Sequence, residues 1–150
     1  MDGSVSKMGL FESVKRGIVM LLGHTATFYI SAVLLGAPYF SQIAETLVFS
    51  LFLSVLCSIP LAVFCGVRYA HVIDLMAVDR PKKHEQSARF IAMLTIFGAW
   101  IGSATIPLDW ERWWQAWPIS NCIAMSAASL VGWIFTVTAL KFRPSIMNRF

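Results

Sequence analysis

Four long apolar runs, Gly17–Gly36, Thr46–Val67, Phe90–Pro107 and Pro118–Leu140, leave this chain few ways to fold. A bilayer's hydrocarbon core is ~30 Å thick and a helix rises ~1.5 Å per residue, so about 20 apolar residues are needed to cross it. The runs meet that length, the third being the shortest. Backbone groups inside lipid must be satisfied within their own segment, which makes each run a helix, and the runs are too long and too uniformly apolar for barrel strands. The expected fold class is all-α: a polytopic membrane protein, one domain over residues 1–150, with four transmembrane helices.

The basic residues set an orientation, because Lys and Arg concentrate on the cytoplasmic side of a membrane. Lys7, Lys15 and Arg16 precede the first run. Arg68, Arg80, Lys82, Lys83 and Arg89 separate the second from the third, and Lys141, Arg143 and Arg149 follow the fourth. Of the twelve, only Arg112 falls in the other set of connections. Both termini and the middle loop are therefore expected in the cytosol, with Ala37–Glu45 and Leu108–Trp117 on the lumenal or external face.

Composition agrees with a membrane protein. Apolar residues make up 57% of the chain and charged ones 13%, against about 25% charged in a soluble domain, and mean hydropathy is +0.68. A net charge of +4 suggests nucleic acid as a partner, but the cations punctuate apolar runs instead of forming a stripe on a polar fold, so no nucleic acid is expected. Cys57, Cys65 and Cys122 are an odd number and lie in or beside the apolar runs, which gives no disulfide framework. The first run exceeds a signal-peptide core of ~7–15 residues and lacks a small-x-small cleavage site. It reads as a permanent span.

Helices in lipid gain little from apolar burial, so small residues and hydrogen bonds decide how they pack. Three stripes at four-residue spacing stand out: Gly98 and Gly102; Ala124, Ala128 and Gly132; and Ser50, Ser54 and Ser58. They serve packing within the chain or against a partner's helix, the first being expected. His24 sits inside the first run without an acid or second histidine in any span, which favours a neutral imidazole hydrogen-bonded to a neighbouring helix over a proton relay. The charged middle loop, Asp79 to Glu85, reads as a solvated topogenic loop, with contact to anionic head groups as the alternative. No Gly-rich phosphate loop, zinc spacing or nucleophile–base pair occurs, so no catalytic residue, metal or cofactor is assigned.

The most distinctive stretch runs from Ile106 to Pro118 and holds Trp110, Trp113, Trp114 and Trp117. That i, i+3, i+4, i+7 spacing predicts one face of a short amphipathic helix, with Glu111, Arg112 and Gln115 opposite and Pro107 and Pro118 at its ends. Indoles favour the head-group region, so the segment is expected on the lumenal membrane surface. Either it is an aromatic belt, or Asp109, Glu111 and Arg112 form a polar docking surface; composition does not separate the two.

The run Gly98-Ala99-Trp100-Ile101-Gly102, then Ile106-Pro107-Leu108-Asp109-Trp110-Glu111-Arg112 and Trp114-Gln115-Ala116-Trp117-Pro118-Ile119, closely resembles the signature of the phosphatidylinositol-glycan biosynthesis class F (PIG-F) family. Leu35-Gly36-Ala37-Pro38, with Glu45-Thr46 and the serine-bearing run to Ile59-Pro60, is similar to an earlier block of that family in the same order. Family members typically carry further membrane-spanning sequence before that block, so this chain resembles a short member, and Trp113 stands where the family pattern usually has proline.

The resemblance implies residence in the endoplasmic reticulum membrane. It also implies a non-catalytic role, binding and stabilising the large transferases that add ethanolamine phosphate to mannoses of glycosylphosphatidylinositol (GPI) anchor precursors. The expected partners are such a transferase, acting on the second or third mannose, and membrane lipids such as phosphatidylethanolamine or the GPI precursor. The candidate interface residues are Gly36, Ala37, Pro38, Glu45, Gly98, Trp100, Gly102, Pro107, Asp109, Trp110, Glu111, Arg112, Trp114, Trp117 and Pro118. Two rival readings are a phosphoethanolamine transferase or carrier in its own right, which would need Asp109 or Glu111, and a small lipid transporter or scramblase. The two lumenal loops offer only Glu45, Asp109 and Glu111 as carboxylates, too little for a metal-assisted transfer site.

Overall fold

A computed structural model describes residues 10–37, 41–66, 83–107 and 112–142. They form four α-helices: α1 (Leu10–Leu34), α2 (Ile43–Cys65), α3 (Lys83–Ser103) and α4 (Ile119–Phe142), with one 3-10 turn, Trp113–Gln115, before α4. Three of them contain stretches long and apolar enough to cross a membrane: Phe11–Leu34, Ile43–Cys65 and Ile119–Phe142. The third run departs most from its expected bounds. Its helix begins at Lys83 and ends at Ser103, so its first turns carry His84, Glu85 and Arg89. Glu85 in the first turn complements the helix dipole and extends the helix into polar sequence. At the other end Pro107 disfavours helical geometry at the residue before it. Residues 104–106 accordingly close with tighter bonds, Ala104 N–H to Ile101 C=O at 3.0 Å and Ile106 N–H to Ser103 C=O at 3.2 Å.

Polar side chains share the interior with an apolar core that includes Leu53, Leu61, Ile91 and Met125, and many large apolar side chains face outward. His24, Thr46, Ser50, Ser54, Thr95, Asn121 and Ser129 are buried, while Ile18, Leu22 and Ile30 on α1 and Leu130, Ile134 and Phe135 on α4 face outward. Water would penalise both halves of that pattern, and a hydrocarbon solvent favours both. By length and composition α1, α2 and α4 suit a membrane.

Successive helices pack antiparallel in chain order, α1 on α2, α2 on α3 and α3 on α4. The α3–α4 pair is the closest, and the predicted small-residue stripes make it so. A Cβ built on Gly98 would lie 2.5 Å from the Ala128 Cβ and 2.8 Å from the Ala124 carbonyl, and one on Gly102 would lie 2.6 Å from the Asn121 Cα. Gly132 meets Ile91 from the opposite side. The α1–α2 pair uses the serine stripe instead: Ser54 Oγ donates to the Leu21 carbonyl at 2.9 Å, and His24 Nδ1 and Ser58 Oγ share a hydrogen bond of 2.9 Å. His24 is thus satisfied by the neighbouring helix, as its isolation among the spans predicted. Phe64 stacking on Trp133, with ring centroids 5.6 Å apart, adds a contact between α2 and α4.

The antiparallel order gathers the start of α1, the end of α2, the start of α3 and the end of α4 at one pole. Of the described cations, Lys15, Arg16, Lys83, Arg89 and Lys141 belong to that pole and Arg112 to the opposite one. The opposite pole carries the Gly36 turn, the start of α2, the end of α3 and the aromatic turn. Since Gly98 and Gly102 face backbone, Gly98→Ala and Gly102→Ala should each destabilise the folded protein by about 1–3 kcal/mol through overpacking. Gly132→Ala, with its nearest atom at 3.3 Å, should cost clearly less; thermal unfolding in detergent micelles reads the difference.

Candidate functional site

The opposite pole, whose described cation is Arg112, is built from local signals. Gly36 has φ of 100°, and the chain closes α1 with Gly36 N–H to the Val33 carbonyl at 3.1 Å and Ala37 N–H to the Ala32 carbonyl at 2.9 Å. This pair of bonds is a Schellman cap, which needs a residue in the left-handed region and so selects glycine. Its usual apolar contact is present, Ala37 packing on the core that includes Ala32. The Leu35-Gly36-Ala37 part of the motif therefore has a structural reason: it stops α1.

The aromatic segment is not one helix across the described positions 112–118, which corrects the expected amphipathic face. Arg112 is extended, at φ −97° and ψ 139°, and a single 3-10 turn follows. Ala116 is again non-helical, and the Trp117–Pro118 peptide is cis. Proline disfavours helical geometry in the residue before it, so a helix through Trp117 was excluded by Pro118 itself. Trp113 is consequently 75% exposed, while Trp117 turns inward. Its indole N–H donates to Thr46 Oγ1 at 3.3 Å, and its ring meets Phe49 with centroids 5.0 Å apart. Gln115 ties the turn to the end of α3, its Nε2 donating to the Thr105 carbonyl at 3.0 Å and its Oε1 accepting from the Arg112 N–H at 3.1 Å.

Beneath this turn, an apolar cleft of about 1000 Å³ opens between α1 and α3 and is floored by α2. Phe28 and Ala32 form one wall, Phe49 and Leu53 the floor, and Met93 and Ala99 part of the other wall. Its polar lining is Ser31, Gln42 and Ser103, together with the Trp117 indole. Ala32, Phe49, Leu53 and Ala99 are buried, whereas Leu35, Phe97 and Trp100 at the rim are exposed.

The structure brings some of the candidate interface residues to this cleft and takes others elsewhere. Gly36, Ala37, Trp100 and Trp117 line it. Gly98 and Gly102 are buried against α4 and serve packing. Glu45 lies exposed in the first turn of α2, Pro107 and Arg112 are exposed, and Trp114 and Pro118 are half-buried. Pro38, Asp109, Trp110 and Glu111 lie outside the described residues, as do Arg68, Asp79, Arg80 and Lys82 of the middle loop.

One residue of consequence escaped the sequence reading. Asn121 is 1% exposed. Its Nδ2 donates to the Ala99 carbonyl at 2.9 Å and to Ser103 Oγ at 2.6 Å, and its Oδ1 accepts from Ser120 Oγ at 3.3 Å. An amide inside an apolar run was the available signal, since such a group must find partners in lipid.

Comparison with protein-family profiles matches residues 3–137 to the GPI biosynthesis protein family Pig-F. The chain belongs to the PIG-F family. Among its relatives, GPI anchor biosynthesis protein 11 of Debaryomyces hansenii is 33% identical over 120 residues, covering 79% of this chain and 51% of that protein. Its Yarrowia lipolytica counterpart is 38% identical over 117 residues, covering 78% and 51%. The human GPI ethanolamine phosphate transferase, stabilizing subunit, is 30% identical over 111 residues, covering 73% and 51%. This PIG-F chain thus spans about half the length of these curated relatives, and no solved structure matches it.

Within this PIG-F chain, Asn121 fastens the end of α3 that walls the cleft. Asn121→Leu should cost about 0.6–1.7 kcal/mol, the range of interhelical hydrogen bonds in membranes, and lower the unfolding temperature in detergent without changing helix content by circular dichroism.

Proposed function

We propose that this protein is a non-catalytic subunit of the endoplasmic reticulum membrane that binds and stabilises a GPI ethanolamine phosphate transferase. The observation that carries this reading is the family match over residues 3–137, joined to a human relative whose name is that of a stabilizing subunit. Four helices held by small residues and buried hydrogen bonds suit a membrane scaffold. Transfer of ethanolamine phosphate calls for metal ligands beside a nucleophile, and the human relative's name is that of a stabilizing subunit. The chemistry is assigned to the partner.

In this reading α3 crosses the membrane with the other three helices, its apolar part from Phe90 onward providing the span. The basic pole lies in the cytosol with both termini, and the Gly36 and Trp113–Gln115 turns lie on the lumenal side, supported by the bias of Lys and Arg. Of the candidate interface residues, Glu45, Trp100, Pro107 and Arg112 carry exposed side chains at the lumenal pole and are proposed to meet the transferase, together with the exposed Trp113 beside them. Gly98 and Gly102 contribute through α3–α4 packing.

Two outcomes follow. Glycosylation acceptors engineered into Ala37–Glu45 or Leu108–Trp117 should be modified and one in Asp79–Glu85 should not; the reverse pattern overturns the orientation. Depleting the protein should lower transferase abundance several-fold, as loss of a stabilising partner does, with the transferase recovered in a mild-detergent pull-down of the intact protein. A transferase that stays abundant, assembled and active without this chain excludes the role.

A further inference from the structure

The cleft between α1 and α3 has a depth that identifies its occupant. Its lining on α3 runs from Met93 to Ser103 and on α2 from Gln42 to Leu53. At ~1.5 Å per residue, either stretch extends roughly 15 Å below the pole. That is about half of the ~30 Å hydrocarbon core, the thickness of one leaflet. The polar lining groups sit at the mouth and the deep end is apolar: Gln42 and Ser103 are beside the Gly36 and Trp117 turns, and Phe28, Leu53 and Met93 are farthest from them.

A partner's transmembrane helix would need a groove running the full height of the membrane and a small-residue surface for close backbone approach. The lining stops at Phe28, Leu53 and Met93, roughly half that height, and its small residues, Ala32, Gly36, Ala99 and Ser103, are interleaved with Leu35, Phe97 and Trp100. The glycine stripe of α3 is already occupied by α4, and the cleft rim is bulky, with Phe97 and Trp100 stacked at 5.9 Å between centroids. A volume of about 1000 Å³ is at the upper end of small-ligand sites. Among the described residues no charged side chain lines it, so these residues offer a free fatty acid's carboxylate no counter-charge.

We propose that this cleft is a lipid site that takes the acyl chains of one glycerophospholipid from the leaflet on the Trp117 side, with the glycerol-ester region at Gln42, Ser31 and Ser103. Ala32 and Ala99 create the room by being small, and Trp117, fixed by Thr46 and Phe49, closes the end next to the head group. The inference depends on the membrane placement of the helices and is independent of the partner's identity.

The test uses the full chain in nanodiscs of phosphatidylcholine, a fraction of it carrying a diazirine at the end of one acyl chain. After irradiation, mass spectrometry locates the adducts. Phe28, Leu53 and Met93 should be labelled well above Leu130 and Ile134, which face outward on α4 at a similar depth. Filling the cleft with Ala32→Trp should reduce cleft adducts by about tenfold and leave the outer labels unchanged. Ser31→Trp, at an exposed position of the mouth, should do the same without a core substitution. Cleft labelling no higher than outer labelling, or labelling insensitive to Ser31→Trp, overturns the proposal. In a second preparation, native membranes that hold the transferase, a cross-link from a photoreactive residue at Phe97 to a transferase helix in place of lipid also overturns it. Because the nanodiscs contain no transferase, the lipid site and the stabilising role fail separately.

Discussion

The close approach of α3 and α4 is the contact on which the rest of the arrangement depends. In lipid the helices gain little from hiding apolar surface from one another, and the energy of association comes from backbone proximity and interhelical hydrogen bonds. Gly98 and Gly102 let the α3 backbone come within van der Waals distance of Ala124, Met125 and Asn121. Asn121 then reaches the Ala99 carbonyl and Ser103, a bond that a wider helix separation would break. The α1–α2 pair solves the same problem with polar side chains, Ser54 on the Leu21 carbonyl and His24 with Ser58. Each pair satisfies its polar groups internally and turns its large apolar side chains outward.

That division leaves the middle contact as the loose one, and the cleft is its consequence. α3 spends its small face on α4, so the face it presents toward α1 carries Met93, Phe97 and Trp100. α1 reaches the core through Phe28 and Ala32, and α2 beneath them offers Phe49 and Leu53. Two walls that rest on one floor, with Phe28 on one side and Met93, Phe97 and Trp100 on the other, leave the cleft between them. Trp117 fills part of that gap and fastens the aromatic turn to the start of α2.

Much of this was legible in the residues. The apolar runs located four helices, with bounds shifted where capping and proline rules act: Gly36 ends α1, Pro118 precedes α4, and Pro107 stops α3 short of the expected end. The Gly, Ala and Ser stripes named the faces that pack within the chain, and the solitary His24 pointed to a hydrogen bond with a neighbouring helix. The aromatic segment misled because tryptophan spacing was weighed above the constraint that Pro118 places on Trp117. Asn121 went unremarked although an amide in an apolar run demands partners. The cleft was beyond sequence reach, since it arises from which bulky faces remain after the small ones have paired, and that is a property of three helices at once.

A stabilising subunit acts by mass action: whatever binds only the assembled form of a partner raises the population of that form. The lumenal pole proposed here combines the exposed Trp100 and Trp113 with a lipid cleft closed by Trp117. A lipid seated in the cleft and a transferase resting on the same pole would share the α3 end and the aromatic turn. Their binding free energies are then coupled, and the coupling is reciprocal, so a transferase that favours the lipid-filled form must itself be favoured by it. The two glycines of α3 matter to both events without touching either ligand, because they hold α3 where the cleft has a wall and the turn has an anchor.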